Sequence, residues 1–294
     1  MKIYQITKIW AWSLGIILFC TLPSHAQNIS SPRSQQNYNV QEVLQKLYKT
    51  NVIYLGETHD NPEDHKAQLE IIQKLVARNK KVAIAMEMFQ RPYQDVLDRY
   101  IAGKITETQL IEQSEYEQRW VFPWENYAPI LRFAALNKLP VLALNTPAEI
   151  TRKVARRGLE SLTPEEQRYI PPASEIRTDN AEYRQMVLGA FQQHRQAGHG
   201  ASASFERFFT AQVLWDETMA EAIAGFLKAN PDYQVVVLAG QAHIIYGYGI
   251  PSRVARRLGT KAVQSSILLN PSEEDIASTD KAIADYFWIT SPTK

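Results

Sequence analysis

The chain has 294 residues, with 32 Lys and Arg against 31 Asp and Glu, six histidines and one cysteine. That balance, without a basic block or interleaved aromatic and basic residues, excludes the electrostatic footprint of a nucleic-acid binder. The lone Cys20 excludes a disulfide framework and any thiolate-held zinc or iron–sulfur centre, so a metal must be held by His, Glu, Asp or Tyr.

Lys2 and Lys8 frame the start of an apolar run from Ile9 to about Leu22. It is short for a bilayer span but fits a secretory signal, and Ser24-His25-Ala26 supplies the small residues a signal peptidase reads. Residues 1–26 are expected to be removed, leaving an exported protein, periplasmic or extracellular, with 30 basic and 31 acidic residues and no transmembrane segment. Lipoprotein anchoring at Cys20 is disfavoured, because Phe19 stands where a small residue is needed. Residues 27–39, rich in Ser, Gln and Asn, read as a flexible leader. Residues 40–294 then make one large domain.

Val40 to Tyr48 has helical spacing, with Val43, Leu44 and Leu47 on one side. Val52-Ile53-Tyr54-Leu55 is a short buried strand ended by Gly56, and Glu57-Thr58-His59 follows. Asn61 as N-cap and Pro62 at the first helical position open a helix to Arg78. Further buried-strand runs are Val82 to Met86, ending in Glu87, and Leu139 to Leu144, ending in Asn145. Gln234 to Ala239, ending in Gly240, and Ser266 to Leu269 complete the set. Between them helices are expected over Pro92–Ala102, Thr106–Tyr116, Glu125–Leu136, Asn180–His194 and Phe205–Leu227. The last carries Phe208, Gln212, Trp215, Met219, Ile223 and Phe226 on one face. Strands alternating with helices imply an α/β fold: a central, mostly parallel sheet with helices on both faces and a helical insertion.

Parallel strands deliver their carboxyl ends to one rim, which is where open α/β sheets place ligands. Glu57, Glu87, Asn145 and His243 all project there. Gly56-Glu57-Thr58-His59 and Gly240-Gln241-Ala242-His243 repeat a Gly-x-x-His pattern, each after a strand. Glu57, His59, Glu87 and His243 are the residue types that hold a divalent ion with an open position. Bound water would be acidified there, with Glu57 or Glu87 as general base for hydrolysis. His65 is either a ligand or a partner of one. Asp216 either lines the site or is a buried acid paired with Arg253, and Asn145 either lines it or caps the helix opening at Pro147. A single such turn is more often a tight βα connection with a capping acid; the doubled pattern favours function.

Gly56–His59, Met86-Glu87-Met88-Phe89, Ala211-Gln212 with Trp215-Asp216 and Met219-Ala220, and Leu238–His243 together resemble the ChaN-like haem-binding uptake proteins. That family shares a superfamily with the Tiki metalloproteases and erythromycin esterases. The resemblance covers nearly all of residues 40–290. It implies an exported haem-binding protein of iron acquisition, with dimers enclosing paired haems between a tyrosine of one subunit and a histidine of the other. Tiki-like relatives use paired Gly-x-x-His motifs and an intervening acid for metal-dependent hydrolysis, matched here by Gly56–His59, Glu87 and Gly240–His243. Haem needs an axial donor, an apolar slot and cations for its propionates. Tyr246 and Tyr248, in a glycine-rich turn just past His243, are candidate donors, with His194 and His199 as alternatives. The expected ligand is therefore haem, with a divalent metal ion of a hydrolase as the alternative.

Overall fold

The computed structural model describes residues 27–196, 204–259, 262–277 and 281–290. The signal segment with Cys20, and His199, lie outside the described residues, as does the side chain of His194.

Eight strands form one sheet. They are β1 (Gln27–Ser31), β2 (Gln36–Tyr38), β3 (Val52–Glu57), β4 (Val82–Gln90), β5 (Val141–Asn145), β6 (Gln234–Gly240), β7 (Gln264–Leu269) and β8 (Tyr286–Thr290). Their order is β2-β1-β8-β7-β3-β6-β4-β5. Every pair from β8 to β5 is parallel; only the β1–β2 hairpin and its junction with β8 are antiparallel.

Alternation along the strands builds two layers. Ile53, Leu55, Ile84 and Leu238 face one core. That core is covered by α1 (Val40–Leu47), α2 (Pro62–Arg78), α3 (Gln94–Ile101), α4 (Glu107–Gln113), α5 (Tyr116–Arg119) and α6 (Trp124–Asn137). The insertion follows as α7 (Ala148–Arg157), α8 (Pro164–Gln167) and α9 (Ala181–Gln196). Val52, Tyr54, Ala83 and Val237 face the other core, under α10 (Phe205–Ala229) and α11 (Ile250–Leu258). A short α12 (Glu273–Ala277) precedes β8. Each fully buried Val, Leu or Ile contributes about 1.5–3 kcal/mol, so the all-buried β3 and β4 anchor the fold.

Four expectations change. The segment read as a flexible leader instead pairs as β1 and β2, because Ile29 is fully buried and β8 offers an open edge. The Thr106–Tyr116 helix breaks at Glu115, whose φ of 52° separates α4 from α5. α10 is buried nearly all round from Ala211 to Ala224 rather than on one stripe, since α7 and α11 clasp the sides the sheet leaves open. Pro147, not Asn145, occupies the cap of α7.

The β5 edge is closed by a side chain. Gln94 Nε2 donates to the Val141 carbonyl at 2.8 Å and Gln94 Oε1 accepts from the Ala143 amide at 2.7 Å. It reproduces the pairing a ninth strand would offer, which blunts an otherwise sticky edge. Among the described residues no helix is long and apolar enough to cross a membrane.

Candidate functional site

β3 runs between β6 and β7 and delivers Glu57 to the carboxyl rim. Glycine at 56 lets Leu268 pack close, because a Cβ there would stand 2.8 Å from Leu268 Cδ2 and the leucine would have to shift. The turn into α2 is pinned by Asp64, which accepts from the Thr58 amide at 2.8 Å, and by Asn61, which accepts from the Glu63 amide. This fixes His59 over the strand end.

Glu57 is the hub of the first cluster. Its Oε1 faces His59 Nδ1 at 2.8 Å and accepts from the Tyr127 hydroxyl at 2.6 Å, while Gln68 Nε2 donates to Oε2. The His59 ring lies against Trp120 and Phe122, with centroids 4.9 and 4.8 Å away. His65 donates from Nε2 to the His59 carbonyl at 3.0 Å, so it positions the turn.

His243 anchors the second cluster. It sits in a 3-10 turn after β6, with Nδ1 2.7 Å from Asp216 Oδ1 and Nε2 3.5 Å from Glu87 Oε1. The Tyr183 hydroxyl donates to Asp216 Oδ2, and the Gly240 amide donates to Glu87 Oε2 at 2.8 Å. Asp216 therefore belongs to the site, and the neighbouring Glu217 takes Arg253 instead, at 3.3 Å. Asn145 Nδ2 donates to the Glu87 carbonyl at 3.0 Å, holding β5 to β4. Gln241 turns away and donates to the Leu269 carbonyl at 2.9 Å.

The two clusters meet at Gly240. A Cβ there would come within 2.9 Å of His59 Nε2 and 3.7 Å of Glu87 Oε2, so only glycine lets them approach. Gly249 backs the turn in the same way, since its Cβ would fall 2.2 Å from the His243 carbonyl oxygen.

Burial pulls the His243 imidazole down, but the Glu87 and Asp216 carboxylates outweigh it and raise it to about 10. Burial pushes Glu87 up, and the His243 charge reverses that, lowering it to about 2. At neutral pH this is a buried ion pair. His59 is raised as well: burial opposes, and the Glu57 hydrogen bond with the Glu87 charge prevails.

The expected metal centre is not assembled among the described residues. Glu57, His59, Glu87 and His243 reach one rim, yet among the described residues no three His, Asp or Glu side chains are placed to hold an ion. Both Nδ1 atoms and three of the four glutamate oxygens are hydrogen-bonded, while Nε2 of each ring and Glu87 Oε1 make none of these bonds.

Tyr246 lies elsewhere. Its ring stacks on Tyr248 at 5.4 Å and lines an open cleft of about 220 Å³ with Tyr54, Arg33 and Ile283, away from the His243 imidazole. Its φ of 56° is unusual for an aromatic residue. The backbone is held there by the Tyr246 amide donating to the Ile283 carbonyl at 2.8 Å. Lys281 sits over the Tyr248 ring at 4.6 Å. Arg33 pairs with Asp285 at 3.1 Å and Lys281 with Glu182 at 2.8 Å.

Residues 43–254 match the family model described as haem-binding uptake, Tiki superfamily, ChaN. The chain belongs to this family. Its fold is similar to a solved ChaN of Campylobacter jejuni, described as binding heme cofacially, at 19% identity over 90% of this chain and 97% of that one, with a TM-score of 0.69. It is also 26% identical over 264 residues to Protein RETICULATA-RELATED 5, chloroplastic, of Arabidopsis thaliana. That match takes in 85% of this chain but 35% of the plant protein, so the chain spans about a third of the curated relative's length. An erythromycin esterase mutant in its open conformation is a more distant likeness, at 15% identity and TM-score 0.48 over 91% of this chain and 83% of that one.

Like the rest of the family match, the Gly-x-x-His pair and its carboxylate partners were legible in sequence; the tyrosines that hold those carboxylates were not. Tyr127 lies 70 residues from Glu57 and Tyr183 lies 33 from Asp216, and neither stands in a pattern that singles it out.

Proposed function

We propose that this protein binds haem as cargo, with the Tyr246 hydroxyl as iron donor, and that after export it serves haem uptake or iron acquisition. Membership of the haem-binding family carries the reading. The Tyr246 phenol supports it, because among the described residues it has no hydrogen-bond partner, and Arg33 lines the same cleft. The cleft of about 220 Å³ is smaller than the roughly 300–1,000 Å³ of small-molecule sites, so a second copy of the chain is the proposed cover. The buried rim clusters then serve to hold the β6 turn from which Tyr246 projects.

Haemin titration followed by absorption tests this. A saturable Soret shift is expected, weakened at least about tenfold in Tyr246→Phe, which removes only the donor oxygen. No saturable shift would overturn the haem reading. A shift unchanged in Tyr246→Phe would overturn the donor assignment.

A further inference from the structure

Between α10, α11 and the segment before α9 lies a second cleft, of about 400 Å³, lined by Glu175, Arg177, Glu221, Lys228, Arg256 and Arg257. It shares no residue with the rim clusters or the Tyr246 cleft. Beneath it Glu217 is fully buried and meets Arg253 at 3.3 Å, Arg256 at 2.7 Å and Arg257 at 2.6 Å. Arg257 also pairs with Glu175 at 3.0 Å, and Arg91 pairs with Glu221 at 2.6 Å. Four cationic groups (Arg177, Lys228, Arg256, Arg257) thus line the cleft against Glu175, Glu221 and the buried Glu217 beneath it.

The excess is not consumed internally. The Arg177 and Lys228 side chains are exposed and make no ion pair among the described residues. The Arg257 side chain is only 7% exposed, yet its Nε has no hydrogen-bond partner. A second observation is independent of charge. Gly225 lies inside α10 on the cleft wall, where glycine weakens a helix. A Cβ there would meet nothing within 4 Å. The space beside Gly225 on the cleft wall is therefore open to a ligand.

We propose that this cleft binds the phosphate group of a phosphorylated ligand, held by Arg177 and Lys228 with Arg256 and Arg257 behind, and admitted by Gly225. A phosphate monoester carries about −1.5 to −2 at pH 7, which answers the two unpaired cations Arg177 and Lys228 better than one carboxylate does. Guanidinium groups match its oxygens geometrically. The phosphate belongs either to a soluble molecule or to a lipid headgroup, and the two are separable.

The test is calorimetric titration of the full chain with inorganic pyrophosphate, beside sedimentation with phosphatidylcholine vesicles with and without phosphatidic acid. Saturable binding to one of these phosphate probes is expected. Arg177→Gln and Lys228→Gln are each expected to weaken it by about tenfold. Both residues are exposed and unpaired, so the variants keep the fold. Gly225→Leu fills the opening without touching a charge and is expected to weaken binding while the melting temperature holds or rises. Binding to pyrophosphate alone assigns a soluble ligand; binding to phosphatidic acid vesicles assigns a headgroup. No saturable binding to either, or binding that survives all three variants, would overturn the proposal. The haem titration reads Tyr246 and this one reads Arg177 and Lys228, so either can fail alone.

Discussion

Asp216→Asn tests the electrostatic account of the rim. The variant keeps the side chain's shape and removes its charge. With Nδ1 and Oδ1 2.7 Å apart, the two charges are centred about 4 Å apart and attract by about 4 kcal/mol at an effective dielectric constant of about 20. That equals about three pKa units. The His243 imidazole, held at about 10, is therefore expected to titrate near ~7 in the variant, with Glu87 still supporting it. Proton NMR of the imidazole Cε1–H from pH 5 to 11 reads this directly. The sign of the stability effect also follows. A folded value raised above the ordinary 6.5 gives stability that is complete below pH 6.5 and fades as pH rises through 10. The deficit of the variant is thus expected to be largest below pH 6.5 and to shrink toward pH 10. A His243 titration unmoved by the substitution, or a deficit that grows with pH, would refute the reasoning.

Gly249→Ala places a Cβ 2.2 Å from the His243 carbonyl oxygen, and backbone cannot swing aside as a flexible side chain would. A loss of about 3 kcal/mol is expected, seen by calorimetry as a melting temperature about 6–10 °C lower. Tyr127→Phe deprives the buried Glu57 of one of its donors and is expected to cost about 1.5–3 kcal/mol in urea unfolding. Gln94→Ala uncovers the β5 backbone at Val141 and Ala143. A loss of about 1–3 kcal/mol and increased self-association in size-exclusion chromatography are expected.

The parallel strands were readable because they are buried on both faces, which leaves unbroken apolar runs such as Val235-Val236-Val237-Leu238. The convergence of Glu57, Glu87 and His243 followed from that alone. β1 was not readable, since Ile29 is the only large apolar residue in a polar segment and its pairing depends on β8, some 260 residues later. β8 itself carries a strand signal in Tyr286-Phe287-Trp288-Ile289, absent from the five expected runs. Whether Asp216 lines the site or pairs with Arg253 turned on one helical position. Adjacent helix residues point about 100° apart, so Asp216 meets His243 while Glu217 meets the arginines. Hydropathy carries no information about that difference.

The strand order has a consequence for synthesis. β3 and β4 are neighbours in sequence but not in the sheet, where β6 lies between them. A ribosome that has reached residue 230 has therefore released two wholly buried strands that cannot join until a third emerges. Both are bare edges during that interval, of the kind that pairs with other chains. The closing contacts link residues far apart along the chain, as Val52 with Val235 and Val52 with Gln264, and such contacts form slowly. Asp216 on α10 is already made by then, and its pair with His243 completes only when β6 brings His243 into place.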